Sequence, residues 1–203
     1  MSHRQRAVRG TPSGLPAGRG PSVASALPPL DLAAAVVGAW STSHRATVLL
    51  IENVPPAAWA VPAPGLPRRS IRLIGAHLHN SRCGWIKTLG APHGIAVPER
   101  VDKRTVTRRE LAAALNRSSR AMVELLELGG KHGGRIPPTP VYVWRNLPLD
   151  IGHVLAYFVA HEGHHRGQIV MLARQLGHPL PPAATGGIWH FTRLSKQPRD
   201  RSR

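Results

Sequence analysis

His161-Glu162-Gly163-His164-His165-Arg166-Gly167-Gln168 is the densest group of chemically capable side chains in the sequence. On a helix, His161 and His165 lie one turn apart on one side, about 6 Å along the axis. A single metal ion can span that gap. Both also fall in a run at helical spacing: Ile151, Val154, Phe158, His161, His165, Ile169, Leu172 and Leu176. The two rings are therefore expected to project into the core. A buried imidazole needs a partner, and two that converge on the interior ask for a metal or a hydrogen-bonded network. For a lone histidine, a tie to a core carbonyl would be the better reading. For a pair at i and i+4, with a third candidate elsewhere, a metal is preferred.

The same residues spell H-E-x-x-H, the pattern of zinc metalloproteases. That reading fails on its other requirements. No Glu follows Glu162, and the one later Asp is Asp200, close to the C-terminus. The extended pattern needs Gly and His where this chain has Gln168 and Met171. No run of strands is present to pair with a peptide. Glu162 is about 100° round the helix from His161, so it is expected to face solvent or to support the site from behind.

These histidines must be held by helices, and the sequence marks four long ones. Asp31 is placed to cap a first helix to about Asn53, with Leu32, Val36, Trp40, Thr47 and Ile51 on its inner stripe. After a proline-rich connection from Pro55 to Pro67, a second helix opens near Ser70 and runs to about Leu89. Thr107 and Glu110 form a capping box for a third, with Val106 and Leu111 as its hydrophobic staple. Leu115, Met122 and Leu125 continue its buried side, and Gly129-Gly130 is expected to end it. The fourth starts near Pro148 and stops at Gly177, with Pro179 beyond. A short helical turn is expected around Ala183 to Trp189. Val141 to Trp144 is the one strand-like run, too short to define a sheet. The expected fold is an all-α four-helix bundle, and its long loops argue against a simple up-and-down order.

A third ligand has two sources on the second helix. His77 shares a face with Ser70, Ile74, Ser81 and Trp85. His79 shares one with Cys83, and a His–Cys pair is itself a zinc-binding fragment. Spacing favours His77 and leaves His79 with Cys83 as the alternative.

The chain has 203 residues and a formal net charge of +17, with 23 Arg among 27 basic residues and 20 each of Gly and Pro. A basic surface attracts anions, but Arg, Gly and Pro bias also follows from codon usage. The single cysteine, Cys83, excludes an internal disulfide. No apolar run approaches the 18 or so residues of a membrane span, and the N-terminus lacks an uninterrupted apolar segment, so a cytoplasmic protein with no membrane partner is expected. Residues 1–29 are read as a disordered basic tail, 30–191 as the bundle, and 192–203 as a second basic tail that adds nothing to the core.

Gly75-Ala76-His77-Leu78, together with His161-x-x-x-His165-Arg166-Gly167-Gln168-Ile169 and the closing Gly187-Ile188-Trp189, resembles the DinB-like (damage-inducible) superfamily. The resemblance runs from about Leu32 to Trp189. It implies a four-helix bundle of right-handed, non-sequential topology, a divalent metal on His77, His161 and His165, and often a homodimer. It leaves the basic tails, His153 and His164 unexplained. Characterised branches include low-molecular-weight thiol S-transferases and a mycothiol-dependent isomerase. Three neutral imidazoles suit zinc or nickel. The expected function is thus a metal-dependent transferase or isomerase that joins a small thiol of the mycothiol type to an electrophile. Arg166 and Arg145 are candidates to grip a carboxylate, and Gln168 to orient a ligand histidine. The alternative is a non-catalytic, metal-stabilised binding module, associated with nucleic acid through its tails. No DNA- or RNA-binding motif supports a nucleic-acid partner, and aromatic residues are only 4% of the chain.

Overall fold

The long helices begin where a side chain beside the first turn can accept a free amide. In a computed structural model that describes residues 29–141 and 146–197, α1 spans Leu32–Glu52 and Asp31 accepts the Ala34 N–H at 3.0 Å. A short α2, Pro56–Trp59, follows. Ser70 caps α3, Ile71–Trp85, which continues as a π-helical turn through Gly90. Thr107 and Glu110 make the reciprocal capping box of α4, Arg108–Lys131. Asp150 caps α5, Ile151–Gln175. Two short helices complete the described chain, α6 (Pro182–Gly187) and α7 (Phe191–Ser195). Among the described residues there is no strand, only two isolated bridges.

Several expected boundaries shift for local reasons. The cap of α5 is Asp150, two residues beyond Pro148, because a carboxylate can accept the His153 N–H at 3.0 Å whereas a proline only tolerates the first turn. The α4 helix runs past Gly129-Gly130 and is stopped by Gly133 and Gly134, at φ 65° and 85°. Leu32 is 64% exposed, so the inner stripe of α1 begins at Val36. At the other end, Leu194 is 1% exposed and packs in the core, and Arg45 donates to its carbonyl at 2.9 Å. The expectation that residues from 192 on add nothing to the core is therefore corrected at α7. The expected N-terminal tail up to residue 28, residues 142–144 of the strand-like run, Arg145 and residues 198–203 lie outside the described residues.

The α1 helix packs against α4 and α5, and α3 packs against the same two. Helices consecutive in sequence are thus not the main neighbours in space. Trp40 meets Ser119 and His44 meets Asn116, so α1 and α4 are antiparallel. Trp85 meets Tyr157 and His77 meets His161, so α3 and α5 are antiparallel too. The core divides into two apolar clusters along the bundle. One holds Leu50, Ile51, Leu78, Leu111, Ile169 and Leu172; the other holds Trp40, Trp85, Met122, Leu125, Val154 and Phe158. Between them runs a layer of buried polar side chains that includes His44, Thr47, Arg82, Ser118 and Glu162.

Gly129 is used for close approach. A Cβ there would lie 2.5 Å from Cγ2 of Ile151 and 3.1 Å from Cγ1 of Ile136, both stiff β-branched residues. Overpacking of this kind costs about 1–3 kcal/mol, against about 1 kcal/mol gained in helix propensity on replacing glycine by alanine. Gly129→Ala is expected to be destabilising in urea unfolding, whereas Gly38→Ala, with nothing within 4 Å of its Cβ, should be stabilising.

Candidate metal centre

The antiparallel contact of α3 with α5 brings three imidazoles together. The Nε2 atoms of His77 and His161 are 3.3 Å apart, and those of His161 and His165 are 3.2 Å apart. One ligand atom from each of the three residues falls within 4.8 Å of the others. Two nitrogens bound at about 2.0–2.1 Å to a tetrahedral ion lie about 3.3–3.4 Å apart. The spacing therefore fits a divalent ion, and the donors are of the borderline type that suits zinc or nickel. His77 is exposed and the other two are partly buried, so the cluster opens outward.

Neighbouring groups aim the rings. Nδ1 of His165 donates to Oε1 of Gln168 at 2.8 Å, which leaves Nε2 with its lone pair facing the cluster. The Gln168 amide nitrogen in turn donates to Nε2 of His164 at 2.9 Å. This accounts for His164, as the tie to Asp150 at 2.7 Å accounts for His153. The Ser81 hydroxyl lies 3.3 Å from Nε2 of His77. Tyr157 lies parallel to the His161 ring at 6.1 Å, backed edge-on by Trp85. Gln168 thus holds the His165 ring through a hydrogen bond, while Ser81, Tyr157 and Trp85 add a hydroxyl and an aromatic wall.

The placements of His161 and His165, expected to project into the core, and of Arg166, expected to meet a substrate carboxylate, differ from expectation. The buried stripe of α5 passes from Phe158 through Glu162 to Ile169, and the histidines flank it. Glu162 is 1% exposed, neither at the surface nor aimed outward with the imidazoles. Arg82 grips its Oε1 through Nε at 2.7 Å and through Nη2, and Thr47 donates to its Oε2 at 2.7 Å. A carboxylate held in this way cannot serve as the general base of a zinc protease. Arg166 also turns inward, donating to Thr47 Oγ1 at 2.9 Å and to Ser43 Oγ at 3.2 Å. It is thus bound to α1 rather than presented to a substrate carboxylate.

The alternative third ligand is committed elsewhere. His79 is fully buried; Nε2 donates to the Glu99 carbonyl at 2.9 Å and Nδ1 accepts from Ser118 at 3.1 Å. Burial lowers its pKa and raises that of the adjacent Cys83 thiol. Both are held as neutral core groups.

Burial, reinforced by the His165 and His77 rings, pushes His161 down to about 4. Burial also lowers His77, with Arg69 adding to it, and lowers His165 against the opposing Gln168 bond. At neutral pH all three are uncharged, as ligation requires. A folded pKa below the unfolded value of about 6.5 means that the folded state binds fewer protons in that interval, so stability is lost as pH falls through it. The metal-free protein should therefore become less stable between about pH 6.5 and 4. The capping carboxylates Glu110 and Asp150, whose pKa values are lowered by backbone N–H bonds, act below the ordinary carboxylate range. Urea unfolding across pH should show the upper window, and His161→Gln should flatten it.

Sequence reasoning missed Arg82, and missed it as the partner of Glu162. Their signal was present: each occupies a core position of its helix, Arg82 one turn from Leu78 and Glu162 one turn from Phe158, and they carry opposite charges.

An all-α fold with three convergent histidines on two antiparallel helices defines a candidate metalloprotein of the helical-bundle class. Residues 32–199 match the family model described as DinB family, and the chain belongs to that family. No curated protein and no solved structure gave a match. Among the described residues, no helix is long and apolar enough to cross a membrane.

Proposed function

We propose that this protein is a divalent-metal-dependent transferase or isomerase that uses a low-molecular-weight thiol. The observation that carries the reading is the convergence of three neutral Nε2 atoms, 3.2–3.3 Å apart in the two measured pairs, on a cluster that opens outward. A divalent ion held there would supply Lewis acidity that lowers the pKa of a bound thiol and makes it a nucleophile near neutral pH. His77, His161 and His165 hold the ion, and Gln168 keeps the His165 lone pair turned toward it. Tyr157 and Trp85 offer an aromatic wall on one side for an apolar electrophile.

The second reading is a metal-stabilised binding module without turnover, for which a closed fourth ligand would be the mark. Neither candidate fits that role: Cys83 is buried, with Sγ 3.3 Å from Nε2 of His79, and Nε2 of His164 accepts from Gln168. The test is to purify the protein without a nickel column, measure its metal content, exchange in cobalt and add a panel of thiols and electrophiles. A thiol-dependent change in the cobalt spectrum together with adduct formation supports the transferase. Metal bound with neither response supports the binding module. Salt-sensitive DNA binding that survives His161→Ala but is lost without the tails would move the function to nucleic acid.

A further inference from the structure

The ion pair beneath the histidines joins the same two helices that the histidines join. Arg82 lies five residues after His77 on α3, and Glu162 lies next to His161 on α5. The metal site bridges α3 and α5 on the outside of the bundle, and Arg82 with Glu162 bridges them on the inside. We propose that the Arg82–Glu162 pair is a positioning device that sets the rotation of α5 against α3, so that the three imidazoles are assembled before metal arrives. This rests on the metal reading above.

The need for such a device follows from the histidines themselves. With Nδ1–H of His165 donated to Gln168, its Nε2 bears a lone pair, and it faces Nε2 of His161 at 3.2 Å. In a ligating set all three Nε2 atoms carry lone pairs, which repel. Without metal, Nε2 of His161 can donate to only one of its two neighbours at a time, so the cluster offers at most one such hydrogen bond, between incompletely buried rings, to hold α5 in this phase. The buried pair gives a stronger and more directional restraint. Its carboxylate has both oxygens bound, Oε1 by Arg82 and Oε2 by Thr47 on α1. The Arg82 guanidinium also donates to the Leu115 carbonyl at 3.0 Å and to Ser118 Oγ at 3.3 Å on α4, and lies over the Trp40 ring at 4.8 Å. One carboxylate and one guanidinium thus tie α5 to α3, α1 and α4. Two partners with fixed directions leave little freedom for a rotation of α5, and a residue adjacent to a ligand transmits that restraint directly. Groups behind a metal ligand typically change affinity by about 10–100-fold when altered.

The test separates positioning from stability. Glu162→Gln keeps the shape and acceptor but leaves the Arg82 and Arg166 charges without a carboxylate, so it is expected to be too destabilised to interpret alone. The decisive variant is Arg82→Met with Glu162→Gln. It removes one positive and one negative charge, so the charge of the Arg82–Glu162–Arg166 cluster is unchanged, and an amide remains for Thr47 and Arg166. Replacing a buried pair in this manner is often tolerated. Cobalt and zinc affinities and thermal melts are measured on wild type, on this double variant, and on Leu125→Ala, a core variant in the Trp40–Phe158 cluster away from the site.

The double variant is expected to melt cooperatively but to bind zinc at least about tenfold more weakly, with an altered cobalt spectrum. Leu125→Ala should lose stability and keep wild-type metal affinity. Unchanged affinity in the folded double variant overturns the proposal. So does failure of that variant to fold, which would assign the pair to the bundle's stability, and so does an equal loss of affinity in Leu125→Ala. Wild-type protein that binds no metal would instead refute the metal reading itself.

Discussion

His161→Ala is expected to abolish metal binding while leaving the bundle folded. His161 is the central member of the cluster, 3.3 Å from His77 and 3.2 Å from His165 through the same nitrogen. Its loss leaves two donors that belong to different helices. Altering a group behind a ligand costs about 10–100-fold in affinity, so removing the ligand should exceed the upper end of that range. The ring is partly buried and stacked on Tyr157, so its removal also leaves a small void. A melt by circular dichroism must accompany the metal titration. A folded variant that retains one tightly bound ion would show that the three-histidine assignment is wrong. Gln168→Ala provides the graded comparison: it frees Nδ1 of His165 and should weaken binding without abolishing it.

Glu162→Ala should have the largest effect on stability of any single substitution in the described chain. Removing one partner of a buried ion pair costs about 3–5 kcal/mol, because the other charge is left without compensation. Here two guanidiniums lose their carboxylate, since Arg166 also lies 3.8 Å from Glu162. The void adds to the loss, so the effect should reach the upper part of that range. Against a stability of about 5–15 kcal/mol for an ordinary domain, the variant will be marginal or unfolded at room temperature. Denaturant unfolding measures it directly. A loss below about 1 kcal/mol, the size of a surface pair, would mean that Glu162 is not buried as the structure has it.

The two expectations involve neighbouring residues of one motif with opposite roles. His161 and His165 face outward to the cluster, and Glu162 faces inward to Arg82. In a zinc protease the same letters place the carboxylate beside the metal as a base. A motif defined by spacing alone does not say on which side of the helix the core lies.

Features whose cause is local were legible in the sequence. The caps at Asp31, Ser70 and Thr107 with Glu110 depend on a side chain and amides within three residues, and all three occur. Two histidines at i and i+4 on one helix side, and the likeness of their surroundings to one family, also depend on short stretches. Choosing His77 over His79 was a matter of helical phase, and here the structure has His79 bound at both nitrogens inside the core. What the tertiary structure alone decided is the rotation of α5. Its sequence offers apolar residues around most of the helix, so a stripe through His161 and His165 and one through Glu162 fit almost equally well. The choice is made by Arg82, 80 residues away in sequence. A buried carboxylate is stable only against a buried cation, and that partner belongs to another helix. For the same reason Arg166 turned inward toward Thr47 and Glu162 instead of outward to a ligand. Local hydrogen bonds can be read from neighbours in the chain. The pairing of charges across a core can be read only once the helices are packed.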